Sequence, residues 1–208
     1  MRGWSSALAI SLLVPLFGCS ARRAPQDWPA AGTSWSGRGR IVLSRGSRGF
    51  TAPCAFALDP SSGARVEVRD PFGTTRLLLF LGPSQATVVD PVTGRYGFWR
   101  GSSDTLPWSP SDLWAAVTGR PPAGARLRRR DGRAEAAWSG RAGRVKAVLR
   151  DPVEGPGESV LRARGGAELT FRVEGLSAAP FDPAVLSPPG ELLRVPSDPV
   201  ELLWGLAP

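Results

Sequence analysis

The stretch ARVEVRDPFGTTRLLLFLG, residues 64–82, decides how this chain folds. In its first part Val66 and Val68 alternate with charged residues, which is typical of a strand with one dry face and one wet face. The turn-forming residues Asp70 to Gly73 follow, and a second β-rich segment covers residues 75–82. The stretch therefore predicts two antiparallel strands joined by a tight reversal.

Similar short β-rich segments, separated by Gly, Pro and Asp, lie on both sides of this hairpin. Most of the linkers between them are short, as antiparallel neighbours require. Together they predict about 11 strands. The predicted strands cover residues 38–45, 50–59, 64–70, 75–82, 85–90, 94–100, 125–130, 133–139, 143–151, 159–165 and 167–175.

One helix is predicted between the sixth and seventh strands, over residues 110–118. Ser109 is a good N-cap, Pro110 fits the first turn, and Asp112 favours the positive end of the helix dipole. The apolar side chains that should lie on the sheet are Leu113, Trp114 and Val117.

These elements predict an all-β-dominated fold: a single curled antiparallel sheet, forming an unclosed β-barrel, with the short helix as a lid. A sheet of this size must curl or split, and either arrangement creates an apolar interior. The pattern alone leaves two possibilities open, a cavity for acyl chains or a filled core. The predicted lining residues are Ile41, Leu43, Phe56, Leu58, Val66, Leu77, Leu79 and Val88.

The turn of residues Asp70, Pro71, Phe72 and Gly73 predicts an apolar tip. Because the proline fixes φ and the glycine permits a left-handed step, the chain should reverse tightly and push Phe72 outward. Phe72 then either folds back on the barrel rim or enters a bilayer, where burying its side chain gives roughly 1.5 to 3 kcal/mol. Arg69 and Arg76 flank the turn, in reach of lipid phosphates.

The N-terminus predicts export and a lipid anchor. An uncharged apolar run from Trp4 to Gly18 is too short to span a bilayer, which needs roughly 20 residues. Its ending LFGC resembles the bacterial lipobox, and the resemblance implies lipid attachment at Cys19 with cleavage before it. Residues 1–18 are then a lipoprotein signal peptide and residues 19–34 a lipidated flexible tether.

Composition narrows the function further. The 208 residues contain no histidine, which excludes Ser-His-Asp and Cys-His catalysis and histidine-bound metals. No catalytic residue, metal ligand or cofactor is predicted. The net charge of +8 favours a solvated basic surface attracted to anionic lipids, and the export signal argues against nucleic acid. Cys54 is predicted to be a small buried apolar residue.

Five motifs in order carry a family resemblance over roughly residues 36–175. They are GRGRIVLSR, GFTAPCAFALD, RDPFGTTRLLL, DPVTGRY and LWAAVTGRPP, at residues 37–45, 49–59, 69–79, 90–96 and 113–122. In this order, and with the lipobox, the chain resembles the LolA/LolB lipoprotein-localisation family, and within it the outer-membrane lipoprotein receptor LolB. Residues 35–175 would form the LolB-like β-barrel domain.

The resemblance implies a receptor anchored in the outer membrane and facing the periplasm. It would accept acylated lipoprotein cargo from a LolA-like periplasmic carrier and insert it among the outer-membrane lipids, without an enzyme reaction. Phe72 stands where the family has a leucine implicated in insertion, and Ser20 behind the anchor favours sorting to the outer membrane.

The C-terminal residues keep other functions open. The proline-rich residues 176–208 depart from LolB and are predicted to pack on the domain as irregular chain. The alternatives are a structural lipoprotein of a multiprotein outer-membrane assembly with a filled core, and a lipoprotein that binds free lipid or glycolipid.

Overall fold

The computed structural model describes ten segments of the chain. The predicted signal peptide, Cys19 and the tether up to residue 33 lie outside the described residues. The segments are residues 34–59, 61–82, 84–101, 108–122, 124–130, 133–140, 143–149, 157–163, 165–178 and 181–205.

Within these segments, twelve strands form one open sheet in the order β12-β6-β5-β4-β3-β2-β1-β11-β10-β9-β8-β7. Neighbouring strands are antiparallel except β12, which pairs parallel with β6. This is the curled all-β fold that the sequence predicts, with one strand more than expected. The strands are β1 Trp35–Arg45, β2 Arg48–Asp59, β3 Gly63–Arg69, β4 Thr75–Leu81, β5 Ala86–Asp90, β6 Arg95–Trp99, β7 Arg126–Arg130, β8 Arg133–Gly140, β9 Gly143–Leu149, β10 Gly157–Arg162, β11 Glu168–Ala178 and β12 Val195–Pro196.

Helix α1, Pro110–Thr118, has the predicted bounds. Its contacts show that the sheet is curled. The helix packs on β4 and also on β10 and β11. In a flat sheet β4 and β10 would lie five strand spacings apart, about 24 Å, whereas a helix is about 10–12 Å across. Both strands therefore bend toward α1, and the face that they share is the inner face of the sheet.

The inner face carries the hydrophobic core. Alternation along β3 turns Val66 and Val68 inward, as the sequence predicts, and α1 adds Leu113 and Val117 to the same cluster. The rings of Phe56 and Phe171 meet edge to face, with centroids 5.3 Å apart. The apolar positions of both halves of the sheet thus form one continuous core.

Strand β1 extends further than predicted because glycines let its neighbours approach. It begins at Trp35 rather than residue 38 and pairs with β2 and β11 along its length. A Cβ on Gly39 would overlap the carbonyl oxygen of Arg172, and a Cβ on Gly37 would lie 2.7 Å from the Phe56 ring. Glycine at these positions therefore fits a close backbone approach rather than a break in the strand.

The C-terminal segment is more ordered than predicted, and the prediction of irregular chain is wrong for much of it. After two 3₁₀ helices, Pro183–Leu186 and Gly190–Leu192, it forms β12 and helix α2, Pro199–Trp204. Leu192 and Leu193 cover the outward side chains of β4, whereas Leu202 and Leu203 join the inner core. The segment thus passes around the β6 edge and packs on both faces of the sheet. Strand β4 is apolar on both faces, and its outward side chains are buried by this packing.

Gly97 on β6 is the contact point for this wrapping segment. An added Cβ would lie 2.6 Å from the carbonyl oxygen of Ser197 and 2.7 Å from the nitrogen of Pro199. We expect Gly97→Ala to lower the free energy of unfolding by about 1–3 kcal/mol, the usual cost of overpacking. Denaturant unfolding and the rate of protease cleavage after residue 190 measure the effect.

Gly190→Ala is the matched control, since nothing described lies within 4 Å of a Cβ added there. Equal stability of the two variants would show that the segment does not depend on close packing at β6.

No helix within the described residues is long and apolar enough to cross a membrane.

Candidate functional site

The inner core contains a small apolar cavity between the sheet and α1. Its volume is about 10 Å³, which is room for no more than one water molecule. Binding pockets for small molecules are about 300–1,000 Å³. The core is therefore filled in this conformation, and an acyl chain can enter it only if packed side chains separate. The cavity is lined by Ile41, Leu43, Phe50, Val68, Leu77, Leu79, Trp99, Trp108, Leu113, Leu169 and Leu203.

The eight side chains predicted to line an acyl cavity are all buried in this core. Four of them, Ile41, Leu43, Leu77 and Leu79, line the cavity. The other four, Phe56, Leu58, Val66 and Val88, pack elsewhere in the same cluster. The structure therefore brings the predicted set to one apolar interior, and their role in acyl binding stays a prediction.

Helix α1 covers this interior through the side chains predicted for it. Leu113 lines the cavity, Val117 is buried, and Trp114 is partly buried against the core. Trp108, just before the helix, is fully buried and also lines the cavity. Displacing α1 would open the cavity to one side, so α1 is the element best placed to act as a lid.

Asp112 fastens this lid, a role that the sequence did not reveal. Its carboxylate is 1% exposed and accepts a hydrogen bond from Nε1 of Trp138 on β8 at 2.6 Å. It also accepts hydrogen bonds from the backbone N–H of Ser109 at 2.7 Å and from its hydroxyl at 2.8 Å. The sequence pattern identified Asp112 only as a first-turn acid, because nothing local marks Trp138 as its partner.

The β3–β4 turn holds Phe72 out in solvent. The Asp70 carboxylate accepts hydrogen bonds from the backbone N–H groups of Phe72 and Thr74, both at 2.9 Å. Gly73 takes the left-handed conformation with φ 85°. The Phe72 side chain is 93% exposed, so it does not fold back on the rim in this structure.

The charges of the turn are arranged behind its tip. Nε of Arg76 donates to the Asp70 carboxylate at 3.0 Å, and Arg69 pairs with Glu67 at 2.8 Å. Desolvation raises the pKa of Asp70, but hydrogen bonds from Thr74, Arg76 and Phe72 lower it more, and its pKa lies below the usual value. Asp70 therefore stays ionised, and its hold on the turn weakens only as the pH falls through that lowered pKa.

Cys54 is buried as predicted and is a free thiol. The pKa of its thiol is raised to about 12, chiefly by desolvation and also by Glu174, against smaller opposing effects of the Gly39 backbone and Arg69. Because the thiolate is the reactive form, we expect no alkylation of Cys54 by iodoacetamide in the native chain at about pH 8 and rapid alkylation in denaturant. Mass spectrometry of the peptide containing Cys54 distinguishes the two, and equal rates in both conditions would contradict the burial.

No family model matches this chain, and no curated protein matches it. Several solved structures are similar in fold. A conserved protein from Thermus thermophilus is 12% identical, with a TM-score of 0.45 over 80% of this chain and 91% of that one. A LolA superfamily protein from Nitrosomonas europaea is 12% identical, with a TM-score of 0.46 over 80% of this chain and 92% of that one.

An outer-membrane lipoprotein-sorting protein domain from Vibrio parahaemolyticus is also similar. It is 9% identical, with a TM-score of 0.38 over 70% of this chain and 85% of that one. At such identities and TM-scores the likeness concerns the fold and carries no argument about function.

Proposed function

We propose that this chain is a lipid-anchored outer-membrane receptor for lipoproteins. It accepts the acyl chains of a cargo protein from a LolA-like periplasmic carrier and inserts the cargo into the outer membrane. The observation that carries the proposal is the 93% exposed Phe72 on a hydrogen-bonded turn of a domain with a largely apolar, helix-covered interior.

The turn suits membrane contact because it is already ordered. The Asp70 carboxylate binds the backbone N–H groups of Phe72 and Thr74, and the Asp70 carbonyl oxygen binds that of Gly73, so little conformational entropy is lost on insertion. Burying the Phe72 side chain in the bilayer gives roughly 1.5 to 3 kcal/mol, which brings the domain close to the membrane surface but does not anchor it. The predicted acyl chains at Cys19 would supply the permanent attachment.

The interior suits acyl chains in chemistry, and α1 provides a way to open it. Each methylene buried among the leucines of the inner face gives about 0.8 kcal/mol. Acyl chains would enter when α1 separates from the sheet, and the refilled core would favour their release to the bilayer. Such transfer needs no nucleotide, because it follows the difference in affinity between carrier, receptor and membrane.

A second candidate is a structural lipoprotein of an outer-membrane assembly. It is favoured by the volume of the cavity, about 10 Å³, which means that the core is already filled without a ligand. On this account Phe72 would contact a partner protein, and α1 would not move.

A transfer assay separates the two functions. A fluorescent acylated lipoprotein is loaded on the carrier and mixed with vesicles of outer-membrane lipids that contain the full-length chain. We expect the cargo to leave the carrier and appear in the vesicles, whereas the same cargo without acyl chains stays in solution. A structural lipoprotein would leave the cargo on the carrier, and a free-lipid binder would move phospholipid but not cargo.

A further inference from the structure

Exposed large apolar side chains of the described residues gather at one end of the sheet. Among the described residues four large apolar side chains are exposed, namely Phe72, Val92, Phe98 and Val195. Phe72 lies where β3 ends, Val92 lies where β5 ends, and Val195 pairs with the first residue of β6. Because β3 and β5 run in the same direction, three of the four share this end.

The β5–β6 turn is built like the β3–β4 turn. DPVTG at residues 90–94 repeats the Asp-Pro-apolar order of DPFGT at residues 70–74. The Asp90 carboxylate accepts hydrogen bonds from the backbone N–H groups of Val92 at 2.9 Å and Thr93 at 3.3 Å. The Val92 side chain is 62% exposed. A carboxylate at the base of each turn thus fixes one apolar residue at each tip.

The register of the sheet gives the relative position of the two tips. Leu78 pairs with Val89, so Val92 lies at about the level of Thr75. Phe72 therefore projects one or two residues further, roughly 3 to 7 Å. The two hairpins are offset by two strand spacings, about 10 Å across the sheet.

The C-terminal segment adds apolar and basic groups beside the second tip. The backbone N–H groups of Arg194 and Val195 both donate to the carbonyl oxygen of Gly94 at 3.0 Å. Val195 is 49% exposed, and the exposed Arg194 has no acidic partner among the described residues. The C-terminal segment therefore broadens the second tip with a half-exposed valine and an unneutralised cation.

Arginine side chains lie beside both apolar tips at this end. Arg76 is half-exposed and pairs with Asp70 at 3.0 Å, and Arg95 pairs with Glu201 at 3.1 Å. Arg194 is exposed beside the second tip and adds a cation that no described carboxylate pairs with. The Asp70 carboxylate is paired with Arg76, and the Asp90 carboxylate accepts hydrogen bonds from the N–H groups and hydroxyl of its own turn. Apolar tips backed by cations match a bilayer with anionic headgroups, where acyl chains meet phosphates.

We propose that the β5–β6 turn, with Val92 at its tip and Val195 and Arg194 beside it, is a second membrane contact. Its partner is the anionic phospholipid surface, and it sits shallower than Phe72. This inference rests on the proposed function, in which Phe72 enters the bilayer. One tip would let the domain swivel, whereas two tips of unequal depth fix its tilt and so the direction in which the covered interior faces.

Site-specific fluorescence in the full-length protein tests the second contact. An environment-sensitive NBD dye is attached in separate proteins through Val92→Cys, Phe72→Cys and Ser84→Cys, the last in the exposed turn at the opposite end of the sheet. Cys54 is buried and stays unlabelled in the folded chain, and the chain without an added cysteine gives the labelling background. Each protein is reconstituted in vesicles of phosphatidylethanolamine and phosphatidylglycerol that carry nitroxide-labelled lipids.

The expected result is a blue-shifted dye at both residue 92 and residue 72. A nitroxide near the headgroups quenches the dye at 92 more strongly, and a nitroxide deep in the chains quenches the dye at 72 more strongly. The dye at 84 stays aqueous, and omitting phosphatidylglycerol reduces the signal at 92. If the dye at residue 92 remains in water while the dye at residue 72 enters the bilayer, the β5–β6 turn is not a membrane contact, and the proposed function is unaffected. If the dyes at both positions remain in water, both proposals are overturned. Immersion of the dye at residue 84 would show that the domain does not contact the membrane specifically through the end that carries the two tips.

Discussion

Phe72→Glu is expected to abolish delivery of cargo to vesicles while the fold and acyl binding persist. The side chain is 93% exposed and packs on nothing described, so the free energy of unfolding should change by less than about 0.5 kcal/mol. Insertion loses the roughly 1.5 to 3 kcal/mol that a buried Phe supplies, which corresponds to roughly 10- to 150-fold weaker membrane engagement. The charge adds a further cost in the bilayer. The measurement is cargo recovered in vesicles, alongside thermal unfolding of the variant.

Ser84→Glu provides the matched control, since it adds the same charge to an exposed turn at the other end of the sheet. Delivery by this variant should equal that of the unmodified chain. If Phe72→Glu delivers cargo equally well, the β3–β4 turn is not a membrane contact. If both variants fail, the loss reflects charge rather than position.

Asp112→Ala is expected to destabilise the domain by about 3 kcal/mol, more than the loss of an exposed helix cap would. It removes the helix cap interaction with Ser109 and leaves Nε1 of Trp138 buried without its acceptor. A lost cap costs about 1 kcal/mol, and an unsatisfied buried donor costs about 1–3 kcal/mol. Because α1 then loses its tie to β8, the lid should also open more often. Denaturant unfolding gives the stability, and hydrogen exchange of the α1 amides gives the opening.

Asp182→Ala is the comparison for Asp112→Ala. Asp182 is an exposed cap that accepts one hydrogen bond, from the Ala184 N–H at 2.9 Å, and its loss should cost about 1 kcal/mol or less. Trp138→Phe keeps an aromatic ring and removes the donor, so it should reproduce part of the Asp112 effect. Equal stability of the Asp112 and Asp182 variants would show that the buried hydrogen bonds do not hold the lid.

Much of the fold could be predicted because residue patterns within short segments determine its strands, its helix and its turns. Val66 and Val68 alternate with charges, so the sequence shows both a strand and its dry face. Helix α1 had its cap, its proline and its closing glycine within one short segment, and its bounds were predicted correctly. Pro71 and Gly73 predicted a tight turn with Phe72 at its tip, but the sequence left open whether the side chain folds back on the rim, and the structure shows it exposed.

The remaining features depend on contacts between distant residues. Leu78 and Phe80 face outward from β4, and their burial depends in part on Leu192 and Leu193 of the distant C-terminal segment. The hydrogen bond between Asp112 and Trp138 joins residues 26 positions apart. The size of the cavity likewise depends on how α1 and α2 pack on the inner face, which no periodicity encodes.

The proposed function requires that the interior beneath α1 accepts an acyl chain although it is filled at rest. The most direct test gives the full-length protein an acylated peptide with a photoactivatable group at the end of its acyl chain, followed by irradiation and peptide mapping. We expect cross-links to cavity-lining residues such as Leu43, Leu79 and Leu113, increased in Asp112→Ala and competed by unlabelled acylated peptide. Cross-links confined to the outer surface, or none above those of an unacylated peptide, would contradict acyl binding in the interior.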